Sequence, residues 1–173
     1  MYDDILYTPE EVAEKLKISK YTVYEMIKRG DISAHKIGRN LRISNTQLEI
    51  YLAKTNSLNN TYAANIIEEN NKVYAEIGSV KIYVNTELRD NVKILIRPED
   101  IILCLDIFPN SARNILKGVI TDIKIDGNSA KVFIDTGINL VSLITKDSLN
   151  DLQLEIGSEI YSIFKTMAVR VFK

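Results

Sequence analysis

The spacing of apolar residues changes period once along the chain, and that change limits the fold more than any other feature. Up to Lys54 the apolar positions recur at helical intervals, whereas from about Val73 they fall in short alternating or β-branched runs broken by Gly, Asn and Asp. One layer type cannot bury both patterns, so the 173 residues are expected to form two small domains, an α+β arrangement that the length permits. Between them Thr55-Asn56-Ser57-Leu58-Asn59-Asn60-Thr61 is polar and aperiodic. It reads as a linker, which we place at 55–63 after a first domain of 1–54.

Composition removes several classes. A content of 46% hydrophobic and 26% charged residues excludes disorder throughout, and a net charge of −1 excludes a uniformly basic coat for nucleic acid, so any basic patch must be local. Cys104 and His35 are each the sole residue of their type, too few for an internal disulfide or a Cys/His metal cluster. A reducing, cytoplasmic setting is expected. No apolar run approaches the ~18–20 residues that span a bilayer, and Met1-Tyr2-Asp3-Asp4 lacks the basic flank of an export signal.

In the first domain Thr8-Pro9-Glu10-Glu11 supplies an N-cap, a first-turn proline and first-turn acids, followed by apolar Val12, Ala13 and Leu16. A second helix is expected over about 21–28, with Val23, Met26 and Ile27 inward and Gly30 as its stop. Gly38-Arg39-Asn40 between two apolar-containing runs reads as a hairpin with a basic tip, and Ser44-Asn45 caps a third helix. In the second domain strands are expected at 72–77, 80–84, 92–96, 101–105, 116–125, 130–135, 139–144, 159–164 and 168–172, with a brief helix at 145–152. Such a chain closes as a small β-barrel or a pair of them.

Helix, tight turn, helix, basic hairpin and helix is the order of a winged helix-turn-helix, whose second helix enters the major groove while the wing reaches the backbone. From Lys20 to Arg42 six cations stand against Glu25 and Asp31, a local excess of four positive charges. Phosphate contact needs that kind of localisation. The run from Leu6 to Leu16, Ser19-Lys20-Tyr21-Thr22-Val23-Tyr24, Lys28-Arg29-Gly30, Ala34-His35-Lys36-Ile37-Gly38-Arg39 and Arg42-Ile43 resemble the excisionase/MerR-type DNA-binding domain over about residues 5–53. The resemblance implies that Ser19, Lys20, Thr22, Tyr24 and Glu25 face the major groove and that Lys36, Arg39, Asn40 and Arg42 form the wing. Lys28 and Arg29 are expected at phosphates. Of Tyr7, Tyr21 and Tyr24, the last is expected to be exposed. A solvated basic face on an interaction module is the plainer alternative.

The second domain offers no catalytic constellation. It has no histidine beside a nucleophile, no Gly-rich phosphate loop and no carboxylate pair in an apolar frame, so an enzyme is not expected. The acids of Pro98-Glu99-Asp100 read as turn and cap residues. Donor-rich clusters do stand near strand ends, at Ser111-Ala112-Arg113-Asn114, Thr145-Lys146-Asp147-Ser148 and Lys165-Thr166. Donors arriving from several directions suit a tetrahedral dianion that carries no proton at neutral pH.

Their order adds a second likeness. The stretches 111–119, 144–149, 152–157 and 164–169 resemble the Mop/TOBE module of molybdate- and tungstate-binding proteins over about 107–173, and Asn65-Ile66-Ile67-Glu68 with 92–101 looks like the TOBE segment of oxyanion transporter ATPases. This likeness implies an OB-like barrel region over 64–173, with a shorter half at 64–106 and a Mop module at 107–173. It also implies an oxyanion site of Ser111, Arg113, Thr145, Ser148, Lys165 and Thr166, assisted by backbone N–H groups of Ala112 and Asn114, with pockets commonly between subunits. Where the family has small residues after Phe-Lys, often Ala-Ser, this chain has Thr166-Met167. Met167 removes a hydroxyl and narrows or dehydrates the pocket.

Taken together, the two likenesses imply a molybdate- or tungstate-responsive transcriptional regulator that binds operator DNA as a homodimer or higher homo-oligomer held through its C-terminal domain, with no catalytic metal or cofactor and no membrane insertion. The rivals are an oxyanion storage protein, a recombination factor that ignores oxyanion, a transporter-associated subunit, and a DNA-binding factor whose barrel only dimerises.

Overall fold

The computed structural model describes residues 4–55 and 60–173, and the chain divides into two compact units, 1–57 and 58–173. Residues 56–59 of the expected linker lie outside the described residues.

Unit 1 carries β1 (Leu6–Tyr7), α1 (Pro9–Leu16), α2 (Lys20–Arg29), β2 (His35–Ile37), β3 (Asn40–Ser44) and α3 (Asn45–Thr55). A capping box opens α1: the Glu11 N–H donates to Thr8 Oγ1 at 3.2 Å, and the Thr8 N–H donates to Glu11 Oε2 at 2.7 Å. Lys17, in the left-handed conformation, ends α1, and Ser19 caps α2 two residues later. Those two local signals set the tight turn between the helices. A second reciprocal box, Ser44 with Gln47, opens α3. Val12, Val23, Met26, Ile32, Ile43 and Leu48 form the core, where each fully buried side chain contributes roughly 1.5–3 kcal/mol. The strands order β1-β3-β2, and the β2–β3 hairpin turns through Gly38-Arg39, with Gly38 at φ 63°. Only the two-residue β1 was not expected; it is too short to show a period, and it pairs Leu6 with Ser44.

Unit 2 is two five-stranded antiparallel sheets. One has the order β11-β10-β9-β12-β8, the other β13-β7-β4-β5-β6. Their strands are β4 (Asn60–Glu69), β5 (Lys72–Ile77), β6 (Val80–Tyr83), β7 (Asn91–Ile96), β8 (Ile102–Cys104), β9 (Asn114–Asp126), β10 (Ser129–Asp135), β11 (Asn139–Thr145), β12 (Glu159–Phe164) and β13 (Val169–Phe172), with α4 (Lys146–Asp151) after β11. The two sheets repeat one plan. In each, a long first strand pairs both with a hairpin partner and with the fourth strand of its repeat. A one-turn 3-10 helix, at Pro98–Asp100 or Thr166–Ala168, then leads to a last strand that pairs in the other sheet: β8 beside β12, β13 beside β7.

The half expected to be shorter is therefore a complete repeat. Strand β4 begins at Asn60, inside the segment expected to be linker; its Ala63, Ala64 and Asn65 are weak β-formers, and pairing with β5 and β7 overrides their propensity. The inner faces share one core, including Ile82, Ile94, Ile96, Ile120, Leu140 and Ile160. Two asparagines tie one sheet to the other. Asn60 accepts from the Val141 N–H at 2.6 Å and donates to the Val141 carbonyl at 2.8 Å, and Asn114 does the same for Tyr83. Each stands at the start of its repeat's first strand.

Candidate DNA-facing surface and oxyanion cleft

On unit 1 the expected groove-facing residues lie along the exposed side of α2. Ser19 and Thr22 are already joined, their hydroxyl oxygens 2.8 Å apart and the Thr22 N–H donating to Ser19 Oγ at 3.1 Å. Lys20 pairs with Glu10 of α1, and its ammonium stands 5.8 Å from the Tyr24 ring centroid. The pairing holds the Glu10 carboxyl below the ordinary carboxylate range and raises the Lys20 ammonium. Glu25 is half-buried. Tyr24 is exposed, at 39%, yet Tyr21 is the more exposed ring at 74%: it sits across the helix from Val23 and Met26, whereas Tyr24 lies at the border and meets Lys20.

At the wing Lys36, Arg39 and Asn40 are exposed, and neither cation has a carboxylate partner among the described residues. Arg42 is half-buried and donates to the Leu41 carbonyl at 2.9 Å. Lys28 is exposed, while Arg29 pairs with Asp31 at 3.0 Å. Among the described residues, α2 and the wing thus present Lys28, Lys36 and Arg39 without a carboxylate partner, with Lys20 and Arg29 engaged in exposed pairs that phosphate can displace.

On unit 2 a cleft of ≈ 510 Å³ opens where the two 3-10 turns, the start of β8 and the 108–112 segment meet. Ser111, Ala112 and Lys165 line it. Lys165 caps the Thr166–Ala168 turn and is exposed, and neither its ammonium nor the Ser111 hydroxyl has a protein partner among the described residues. The Ala112 N–H is engaged, donating to Asn110 Oδ1 at 2.8 Å.

The other expected ligands stand elsewhere. Arg113 opens into a separate notch with Lys72, Tyr74 and Tyr83. The Asn114 side chain is buried and bound to the Tyr83 backbone. Thr145 caps α4 by accepting from the Ser148 N–H at 3.1 Å, and the two hydroxyls lie 2.8 Å apart. Neither lines the cleft. The Thr166 hydroxyl is buried without a partner among the described residues.

The cleft also holds residues that were not expected. Arg97 and Arg170 add cations, and Arg97 forks onto Asp100 with Nε at 2.8 Å and Nη2 at 3.1 Å. The signal was present in the order of segments: Arg97 precedes one 3-10 turn as Lys165 precedes the other. Ile102, Phe108 and Met167 make an apolar rim and are each at least half exposed.

Residues 6–56 match the family model described as a helix-turn-helix domain, and residues 110–171 match that of the TOBE domain. The two family models thus match separate parts of the chain, one in each unit. It is 38% identical over 98 residues to the molybdate/tungstate import ATP-binding protein WtpC of Pyrococcus abyssi, covering 56% of this chain and 28% of that protein. It is 50% identical over 50 residues to the uncharacterized protein YvgK of Bacillus subtilis, covering 29% of this chain and 16% of that one. The chain thus spans less than a third of either relative. Among solved structures, the cytoplasmic molybdate-binding protein ModG with molybdate bound shares the fold at a TM-score of 0.55 and 21% identity, covering 65% of this chain and 94% of that one. The described residues hold no group of three or more His, Cys, Asp or Glu placed for a metal ion, and no described helix is long and apolar enough to cross a membrane.

Proposed function

We propose that this protein is a cytoplasmic transcriptional regulator that senses molybdate or tungstate. One observation carries the reading: a helix-turn-helix domain with an unpaired cationic wing shares a chain with a TOBE domain whose cleft presents Lys165 and Ser111 without partners. Lys36 and Arg39 of the wing would meet phosphates, and the exposed face of α2 would read base edges. Lys165 and the Ser111 hydroxyl would donate to the oxyanion, and Thr166 could join them if its buried hydroxyl turned toward it. Arg113, Thr145 and Ser148 would contribute from a second copy of the chain, with Ala112 and Asn114 holding the segment in place.

Two copies are proposed for two reasons. A single winged domain covers few base pairs, and a two-fold dimer on a pseudo-palindromic operator doubles that footprint. The rim of Ile102, Phe108 and Met167 is also apolar and exposed, as a surface covered by another copy would be. Bound anion would then change operator affinity only through its different affinity for the two dimer arrangements, an effect typically of ~5–150-fold. The proposed role is binding, of DNA by the first unit and of oxyanion by the second, and not catalysis.

The test is titration calorimetry with molybdate, tungstate and sulfate, followed by selection of bound sequences from random duplex DNA with and without the preferred anion. Binding of a metal oxyanion that shifts operator affinity supports the reading. Anion binding without sequence-selective DNA binding would replace it with a storage protein, which the ModG-like fold of unit 2 favours as the second reading. DNA binding without any anion effect would leave the barrel as a dimerisation domain.

A further inference from the structure

We infer that Tyr21 is a sequence-reading residue of α2, and that its ring recognises the 5-methyl group of a thymine in the major groove. This role rests on the DNA-binding reading proposed above and supplies its base chemistry. At 74% exposure Tyr21 is the most exposed large apolar side chain among the described residues. It makes no hydrogen bond, ion pair or ring contact with any of them.

The other polar groups at the start of α2 are already engaged. The Ser19 and Thr22 hydroxyls bond to each other at 2.8 Å, and Ser19 Oγ also accepts the Thr22 N–H as the helix cap. Lys20 pairs with Glu10 and stands over the Tyr24 ring. A recognition helix meets base edges with its N-terminal residues, and Tyr21 is the second residue of α2. Its ring is therefore bare at the reading end of the helix. Lys28 sets the direction of that ring. It lies two turns on, roughly 10 Å along the same helix face, and has no carboxylate partner among the described residues. That separation fits within the ~12 Å width of the major groove, so an ammonium at a backbone phosphate leaves Tyr21 over the base edges. Of the four bases only thymine offers an apolar group there, its methyl. An exposed ring gains by covering that methyl, because both surfaces leave water.

The test uses the full chain and the duplex it selects from random sequence. Each thymine of that duplex is replaced in turn by deoxyuridine, which removes the methyl and keeps every hydrogen-bonding group of the base. Affinities are measured by fluorescence anisotropy at one fixed salt concentration for wild type, Tyr21→Phe and Tyr21→Ala. The expected result is a thymine at which deoxyuridine weakens wild type and Tyr21→Phe by ~3- to 10-fold and leaves Tyr21→Ala unchanged. Tyr21→Ala should keep the wild-type dependence of affinity on salt, since no phosphate contact is lost, and a wild-type melting temperature, since the side chain is exposed. No methyl sensitivity at any thymine, or sensitivity that persists in Tyr21→Ala, overturns the role of Tyr21 and leaves DNA binding by unit 1 standing. A Tyr21→Phe that loses as much affinity as Tyr21→Ala assigns the contact to the hydroxyl and overturns methyl reading. A wild type that selects no sequence overturns the DNA-binding reading itself, and Tyr21 with it, before any variant is compared.

Discussion

The side chain of Asn114 holds the backbone of Tyr83 as a neighbouring strand would, accepting from its N–H at 2.7 Å and donating to its carbonyl at 3.0 Å. Tyr83 lies on β6, the edge of its sheet, so the amide closes an edge that would otherwise present unpaired groups. Asn114 is 3% exposed. Replacing it with Ala leaves a buried donor and acceptor without partners, at a cost of about 2–4 kcal/mol. Urea denaturation of Asn114→Ala should show that loss, and a change under ~0.5 kcal/mol would mean that water or a shifted strand replaces the clamp.

Gly118 is needed for a different reason, close approach. A Cβ at this position of β9 would meet the Asp135 carbonyl, Thr136 Cγ2 at 2.6 Å and Ile134 Cγ2 at 2.8 Å. The β9–β10 register shifts between Phe133 and Ile134, so β10 bends across the glycine where it has no side chain to yield. Gly118→Ala should destabilise unit 2 by roughly 1–3 kcal/mol, read as a lower urea midpoint with an unchanged m-value.

Much of this fold was legible because local signals agreed with tertiary need. Thr8 and Gly30 marked helix ends by capping chemistry that the structure retains, and period-two runs located nine of the strands of unit 2. Strand β4 was hidden because Asn60 looks like linker chemistry, yet its amide is a sheet-to-sheet clamp. A polar residue's role as a partner for distant backbone leaves no periodic trace. The candidate cleft was half legible for a related reason: Ser111 and Lys165 stand in recognisable segments, but Arg97 and Arg170 converge on them only because the last strands exchange between sheets.

Glu10 of α1 holds the first residue of α2 in an exposed ion pair. Its carboxylate pairs with Lys20, so the Lys20 ammonium must leave one anion to reach another. Glu10→Gln should strengthen non-specific DNA binding roughly 1.5- to 5-fold at low salt, the scale of an exposed ion pair, and the gain should shrink as salt rises. The pH dependence has a definite sign. Glu10 titrates below its ordinary range, so the pair's contribution to folding is complete above the ordinary carboxylate value and disappears as pH falls through the lowered one. Lys20 is raised, so its share is complete below the ordinary lysine value and is lost as pH rises through the raised one. Thermal melts of wild type and Glu10→Gln should therefore converge at acid pH, and DNA affinities measured by anisotropy should differ only above it. Equal affinities at neutral pH and low salt would show that Lys20 does not reach phosphate.

Lys165 and Met167 border the same cleft and should act on anion affinity in opposite directions. Lys165 supplies a charge without a protein partner, so Lys165→Ala should weaken molybdate or tungstate binding at least about tenfold, the lower end for removing a charged partner from an ion-recognising site. Met167 is half exposed on the apolar rim, within the turn that Lys165 precedes. Met167→Ser replaces a bulky apolar wall with a hydroxyl donor. One added hydrogen bond to a charged ligand is worth about 1.5–3 kcal/mol when well aligned, and imperfect alignment at an open rim reduces that to an expected gain of ~3- to 10-fold. The same substitution removes apolar surface from the proposed contact between copies, so sedimentation should show a weaker dimer even as each site binds more tightly. Calorimetry run above and below the dimer dissociation constant separates the two effects. A loss of anion affinity in Met167→Ser at both concentrations would mean that the methionine shields the oxyanion from water instead of crowding it.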